Sequence, residues 1–121
     1  AVSFSGYVES ITPRMGRCTA MVLPMRFCGG VRIRMLEAAA MGTPVVSTRA
    51  GVVGMGLEAG RDYLEADSAE EMADALSRVL RDDAEAARIG ANARRWAEEH
   101  ISMETYPARL DELLERLLRD P

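Results

Sequence analysis

The chain has 121 residues, 48% of them hydrophobic and 28% charged, with a formal net charge of −4. This is the size and balance of one folded domain, and it excludes the disordered and membrane-spanning classes. All 15 basic residues are arginine, and a net acidic chain does not suit a protein built to grip the nucleic-acid backbone, so no nucleic-acid partner is expected.

Residues 2–8, VSFSGYV, alternate apolar and small polar types, which predicts a half-buried strand. The stretch from Ile11 to Arg17 holds Pro13 and Gly16, so any helix there is short. Thr19 to Leu23 reads as a strand buried on both faces and stopped by Pro24. After the loop MRFCGG, Ile33, Leu36 and Ala40 recur at helical spacing, and Gly42 and Pro44 form the expected stop signal.

Val45, Val46 and Ser47 predict a third buried strand, and the glycines at 51, 54, 56 and 60 predict a loop that turns sharply or approaches a ligand. Tyr63 and Leu64 predict a short fourth strand. Ser68 with Glu71 forms a capping-box pattern opening a helix that ends near Asp82, with Met72, Leu76 and Val79 inward. A further helix is expected from about Ala84 to Glu99 with Ile89, Ala93, Trp96 and Ala97 inward. Another is expected from about Ala108 to Arg119, with a leucine stripe suited to core or interdomain packing.

Strands alternating with helices predict an α/β fold, a Rossmann-like, mostly parallel sheet with flanking helices, in which ligands bind beyond the carboxyl ends of the strands. Cys18 and Cys28 have no metal-ligand spacing and read as free thiols; His100, near a helix end, reads as structural. No metal site and no cofactor are expected. The amino-terminal residues lack the pattern of a secretion signal, which makes the cytoplasm the expected location.

The loop between the strand ending at Leu23 and the helix carrying Ile33 and Leu36 carries the chemistry. Gly29 and Gly30 lead into a helix whose unpaired N–H groups, with that of Val31, favour an anion such as phosphate. Arg32 and Arg34 would add charge beside a diphosphate. Glu37, three residues after Arg34, would accept hydrogen bonds from sugar hydroxyls; the bland alternative is a surface Arg34–Glu37 pair worth about 0.2–0.5 kcal/mol.

With these residues in view, PMRFCGGVRIRMLEAAAMGTPVVST resembles the donor-site signature of glycosyltransferase family 4 (group 1). The likeness rests on Leu23-Pro24, Gly29-Gly30, Leu36-Glu37-Ala38, Ala40, Gly42 and Pro44-Val45-Val46, and it extends over nearly the whole chain. It implies that residues 1–121 are part of the carboxyl-terminal, nucleotide-sugar-binding domain of a two-domain GT-B enzyme. The implied reaction moves a sugar, with retention, from a nucleoside diphosphate sugar to an acceptor hydroxyl on a glycan, lipid or small molecule. Glu37 would bind ribose hydroxyls, and the amides around Gly29, Gly30 and Val31 would meet the sugar and diphosphate.

In many members a second glutamate precedes the first with seven residues between; that place is Gly29 here, which leaves the donor sugar open. The resemblance also places two strand–helix units, with an Arg and Lys gripping the diphosphate, ahead of the first residue. A piece lacking them is expected to be inactive alone and to pair through exposed strand edges as a dimer, while the complete enzyme would make peripheral membrane contact. A GT-B nucleotide-sugar epimerase and a non-enzymatic nucleotide- or partner-binding module are the alternatives.

Overall fold

The computed structural model describes residues 2–119. Three parallel strands, β1 (Met21–Leu23), β2 (Val45–Ser47) and β3 (Leu64–Glu65), form a sheet in the order β1-β2-β3. Among the described residues five α-helices accompany them: α1 (Thr12–Met15), α2 (Ile33–Met41), α3 (Ala69–Arg81), α4 (Asp83–His100) and α5 (Thr105–Arg119). The α/β, Rossmann-like arrangement is the one predicted.

β2 is central, and all three of its side chains are buried, as its run of apolar residues requires. One face of the sheet packs Val46, Leu64 and Ala66 against Ala75 and Val79 of α3 and Ala86 and Ile89 of α4. The other gathers Val45, Val52 and Tyr63 around Met15 of α1 and Met35 and Ala38 of α2. Further along, Ala93, Trp96 and Ala97 of α4 pack on Ala39 of α2, so α4 is shared by two clusters.

Helix ends follow local chemistry. Gly42 stops α2 in the left-handed conformation at φ 68°, which a side chain would disfavour. Ser68 and Glu71 complete the predicted capping box at α3, and the Asp82 carboxylate accepts from the Glu85 amide at the start of α4. His100 stacks on Trp96 with ring centres 5.2 Å apart, and its Nδ1 lies 2.8 Å from the Trp96 carbonyl oxygen.

Four expectations are corrected. The strand expected over Thr19 to Leu23 runs over Met21–Leu23 and is not buried on both faces: it is an edge of the sheet, so Val22 is exposed and Met21 and Leu23 are half-buried. Residues 2–8 form no strand: Val2, Phe4 and Tyr7 are exposed, and Gly6 breaks the extended path with φ 63°. Alternation alone does not hold a strand that lacks a hydrogen-bonded neighbour. The buried stripe of α2 is Met35, Ala38 and Ala39, whereas Ile33 and Ala40 are exposed and Leu36 is half-buried, because the small residues let α4 approach closely. In α3, Ala75 lies inward with Val79, and Met72 and Leu76 are only half-buried.

Candidate functional site

The carboxyl ends of β1 and β2 open onto two loops, residues 24–32 and the segment beginning at Thr48. Thr48 ties them together: its hydroxyl donates to the Met25 carbonyl at 2.6 Å and receives the Gly51 amide at 3.3 Å. That second contact caps a short 3-10 turn, Arg49–Gly51. The Ser47 hydroxyl lies 3.0 Å from the Thr48 carbonyl oxygen and 3.3 Å from that of Leu23. A Cβ on Gly51 would stand 2.2 Å from Ser47 Oγ, so only glycine lets the chain lie this close to the strand end.

Beside this floor is a cavity of about 490 Å³ lined by Leu23, Met25, Val31, Arg32, Ile33, Arg34 and Glu37. It is the mouth of α2. The helix has no side-chain cap, and its first main-chain bond runs from the Met35 amide to the Arg32 carbonyl at 2.9 Å, so the amides of Arg32, Ile33 and Arg34 precede the ladder. Gly30 has φ 85°, and a Cβ on either Gly29 or Gly30 would meet nothing within 4 Å, leaving the loop backbone open to a neighbour.

The structure thus brings Val31, Arg32, Arg34 and Glu37 to one cavity and places Gly29 and Gly30 on the loop leading to it. Glu37 is oriented by Arg34, whose Nη1 donates to its carboxylate at 2.6 Å. Arg32 turns the other way: its guanidinium donates to the carbonyls of Gly30, Gly51 and Val53. Nothing in the residue spacing announced that bridge, since its acceptors are main-chain atoms, one of them two positions away and the other two 19 and 21 positions away.

Arg49, Tyr63 and Glu65 form a second group at the end of β3. Arg49 Nη2 and the Tyr63 hydroxyl donate to the two Glu65 carboxylate oxygens at 2.8 and 2.7 Å. The bond from Arg49, helped by that from Tyr63, holds the Glu65 carboxyl below the usual carboxylate range, while burial pushes the Tyr63 phenol up. Sequence reading missed this group; the visible signal was an arginine just past a strand and a glutamate on the strand beside it.

A larger hollow of about 650 Å³ lies between α3 and α4, lined mainly by charged side chains, of which Arg78 and Glu85 pair with each other. Among the described residues no three His, Cys, Asp or Glu side chains cluster as metal ligands, and no helix is long and apolar enough to cross a membrane.

A family model of the glycosyl transferases group 1 matches residues 1–82. No curated protein sequence matches the chain. Its fold resembles that of a sucrose-phosphate synthase from Thermosynechococcus elongatus with a TM-score of 0.75 and 22% identity, over 92% of this chain. The chain spans 28% of that structure's length. The uncapped helix, the glycine loop and the Glu37 carboxylate lie within the matched residues, and the chain belongs to the group 1 glycosyl transferases.

Proposed function

We propose that this chain is the donor-binding part of a retaining GT-B glycosyltransferase that uses a nucleoside diphosphate sugar. The observation carrying the reading is the placement of Glu37 beside the uncapped start of α2 in one cavity. The amides of Val31, Arg32, Ile33 and Arg34 and the positive end of the helix suit the diphosphate. Glu37, steadied by Arg34, suits the paired hydroxyls of a ribose. The open backbone at Gly29 and Gly30 suits the sugar, whose identity is set by groups other than a carboxylate at position 29.

In the reaction the bond between the sugar's anomeric carbon and the diphosphate oxygen breaks, and an acceptor hydroxyl forms the new bond and loses its proton. Charge gathers on the departing diphosphate. Oriented amides and a guanidinium in a preformed cavity stabilise that charge without reorganising during the step. The site for the acceptor, a glycan, lipid or small molecule, and the acid–base groups are contributed by the remainder of the enzyme. The outer edge of β1 is a natural place for strand pairing with a second copy when this chain stands alone. We place the enzyme in the cytoplasm, with peripheral membrane contact where the acceptor is a lipid.

The experiment is incubation of the complete enzyme with UDP- and GDP-sugars, following product by NMR. Transfer or slow donor hydrolysis releasing a sugar of unchanged anomeric configuration supports the reading. Inverted product refutes retention. Release of an epimerised sugar refutes transfer in favour of epimerisation, and turnover of no donor in the presence of acceptors of all three classes refutes the enzymatic reading.

A further inference from the structure

Arg32 spends its hydrogen bonds on two different loops. Nε donates to the Gly51 carbonyl at 2.8 Å, Nη2 to that of Val53 in the same segment, and Nη1 to that of Gly30 in the loop after β1. A guanidinium carries five N–H donors in a rigid fork, so three are engaged and two remain. Arg32 is also one of the residues that line the cavity at the start of α2.

The segment that Arg32 holds turns at two glycines. Gly54 and Gly56 have φ of 78° and 75°, and a Cβ on Gly54 would meet nothing within 4 Å. Beyond it stands Trp96, 5% exposed, whose indole Nε1 has no protein hydrogen-bond partner among the described residues. A Cβ on Gly56 would lie 3.9 Å from that Nε1, so this segment passes against a buried donor that lacks a partner.

We propose that Arg32 is a positioning residue of the donor site, its fork fixing the loop at Gly30 and the segment 51–56 in one register, so that diphosphate binding and the path of that segment depend on each other. This rests on the donor-site reading above. An anion at the start of α2 draws on the same guanidinium that holds Gly51 and Val53, and the two effects are therefore linked. Lysine keeps the charge at this position and cannot span three carbonyls.

Amide hydrogen exchange tests the proposal in the wild type and in Arg32→Lys, with and without UDP or GDP, beside titrations of both proteins. Without ligand, the variant should exchange faster in residues 24–32 and in 51–56 together, with α3 and α4 unchanged. It should bind the diphosphate about tenfold or more weakly. In the wild type, nucleotide should alter exchange in both segments, and emission from Trp96, the only tryptophan, should shift.

Equal exchange in the two proteins, equal binding, or a ligand response confined to residues 24–32 would overturn the proposal. The wild-type comparison decides the matter even if the variant does not fold. No binding of either nucleotide by this chain, together with none by the complete enzyme, refutes the donor reading and the ligand linkage with it, while unliganded exchange in the variant still decides whether Arg32 couples the loops.

Discussion

The carbonyl oxygen of Gly42 occupies the place where a side chain on Gly90 would stand: a Cβ there would lie 2.1 Å from it and 3.6 Å from the Pro44 ring. Gly90 is in the middle of α4, where alanine would ordinarily favour the helix by about 1 kcal/mol. Here the obstacle is backbone, at the turn that stops α2 and launches β2, and it has no rotamer by which to yield. Gly90→Ala should therefore destabilise the chain by about 2 kcal/mol or more, seen as a lower urea midpoint. An unchanged or raised midpoint would show that α4 does not approach Gly42 this closely.

Gly51 makes the corresponding close approach at the site. Its added Cβ would meet Ser47 Oγ at 2.2 Å but Ser47 Cβ at an ordinary 3.6 Å. Gly51→Ala should cost about 1–3 kcal/mol, and Ser47→Ala, which loses a buried hydroxyl's hydrogen bond, about 1 kcal/mol. Combining them removes the clash, so the double variant should lose less than the sum of the single losses. Additive urea-unfolding energies across the four proteins would contradict the contact.

Glu65 has a carboxyl held below its ordinary range by hydrogen bonds from Arg49 and Tyr63. A carboxylate whose folded pKa is depressed adds stability that is fully present above the unfolded value, about 4.3, and is lost as pH falls through the folded value. Unfolding free energy should thus decline as pH drops below about 5. Glu65→Gln should be less stable at neutral pH, and the gap should narrow in acid. A gap that stays constant from pH 7 to pH 3 would mean that Glu65 is not coupled to its partners.

Most of this architecture was readable because the signals were local. Gly42 with Pro44, the Ser68–Glu71 box and the Ile89–Ala93–Trp96–Ala97 stripe each specify structure within a few residues, and each is present in the fold. Residues 2–8 misled because a strand is made by its neighbour, which alternation within one segment does not supply. The α2 stripe misled because hydrophobicity favoured Ile33 over Ala39, whereas close packing against α4 selects small residues. The leucines of α5 are all at least 45% exposed, so their periodicity foretold the helix and not its packing partner.

The site divides in the same way. Glu37 and Arg34 were legible because three residues along a helix is a fixed geometry, and the ion pair at 2.6 Å follows from it. The three acceptors of Arg32 were not legible, because main-chain carbonyls leave no mark in a sequence. Their position depends on the Thr48–Met25 bond and the glycine at 51, which are properties of the assembled loops.

The most direct test of the donor site is isothermal titration of this chain with UDP, GDP and their sugars, repeated with Glu37→Ala. The Arg34–Glu37 pair is largely exposed, so the substitution should alter stability by no more than about 0.5 kcal/mol. Binding should be saturable in the wild type and weaker by about tenfold to a hundredfold in the variant, the loss of a charged hydrogen-bond acceptor. Unchanged affinity in a folded Glu37→Ala chain would contradict the account, whereas no binding by the folded wild type would mean that residues of the complete enzyme outside this chain are indispensable to the site.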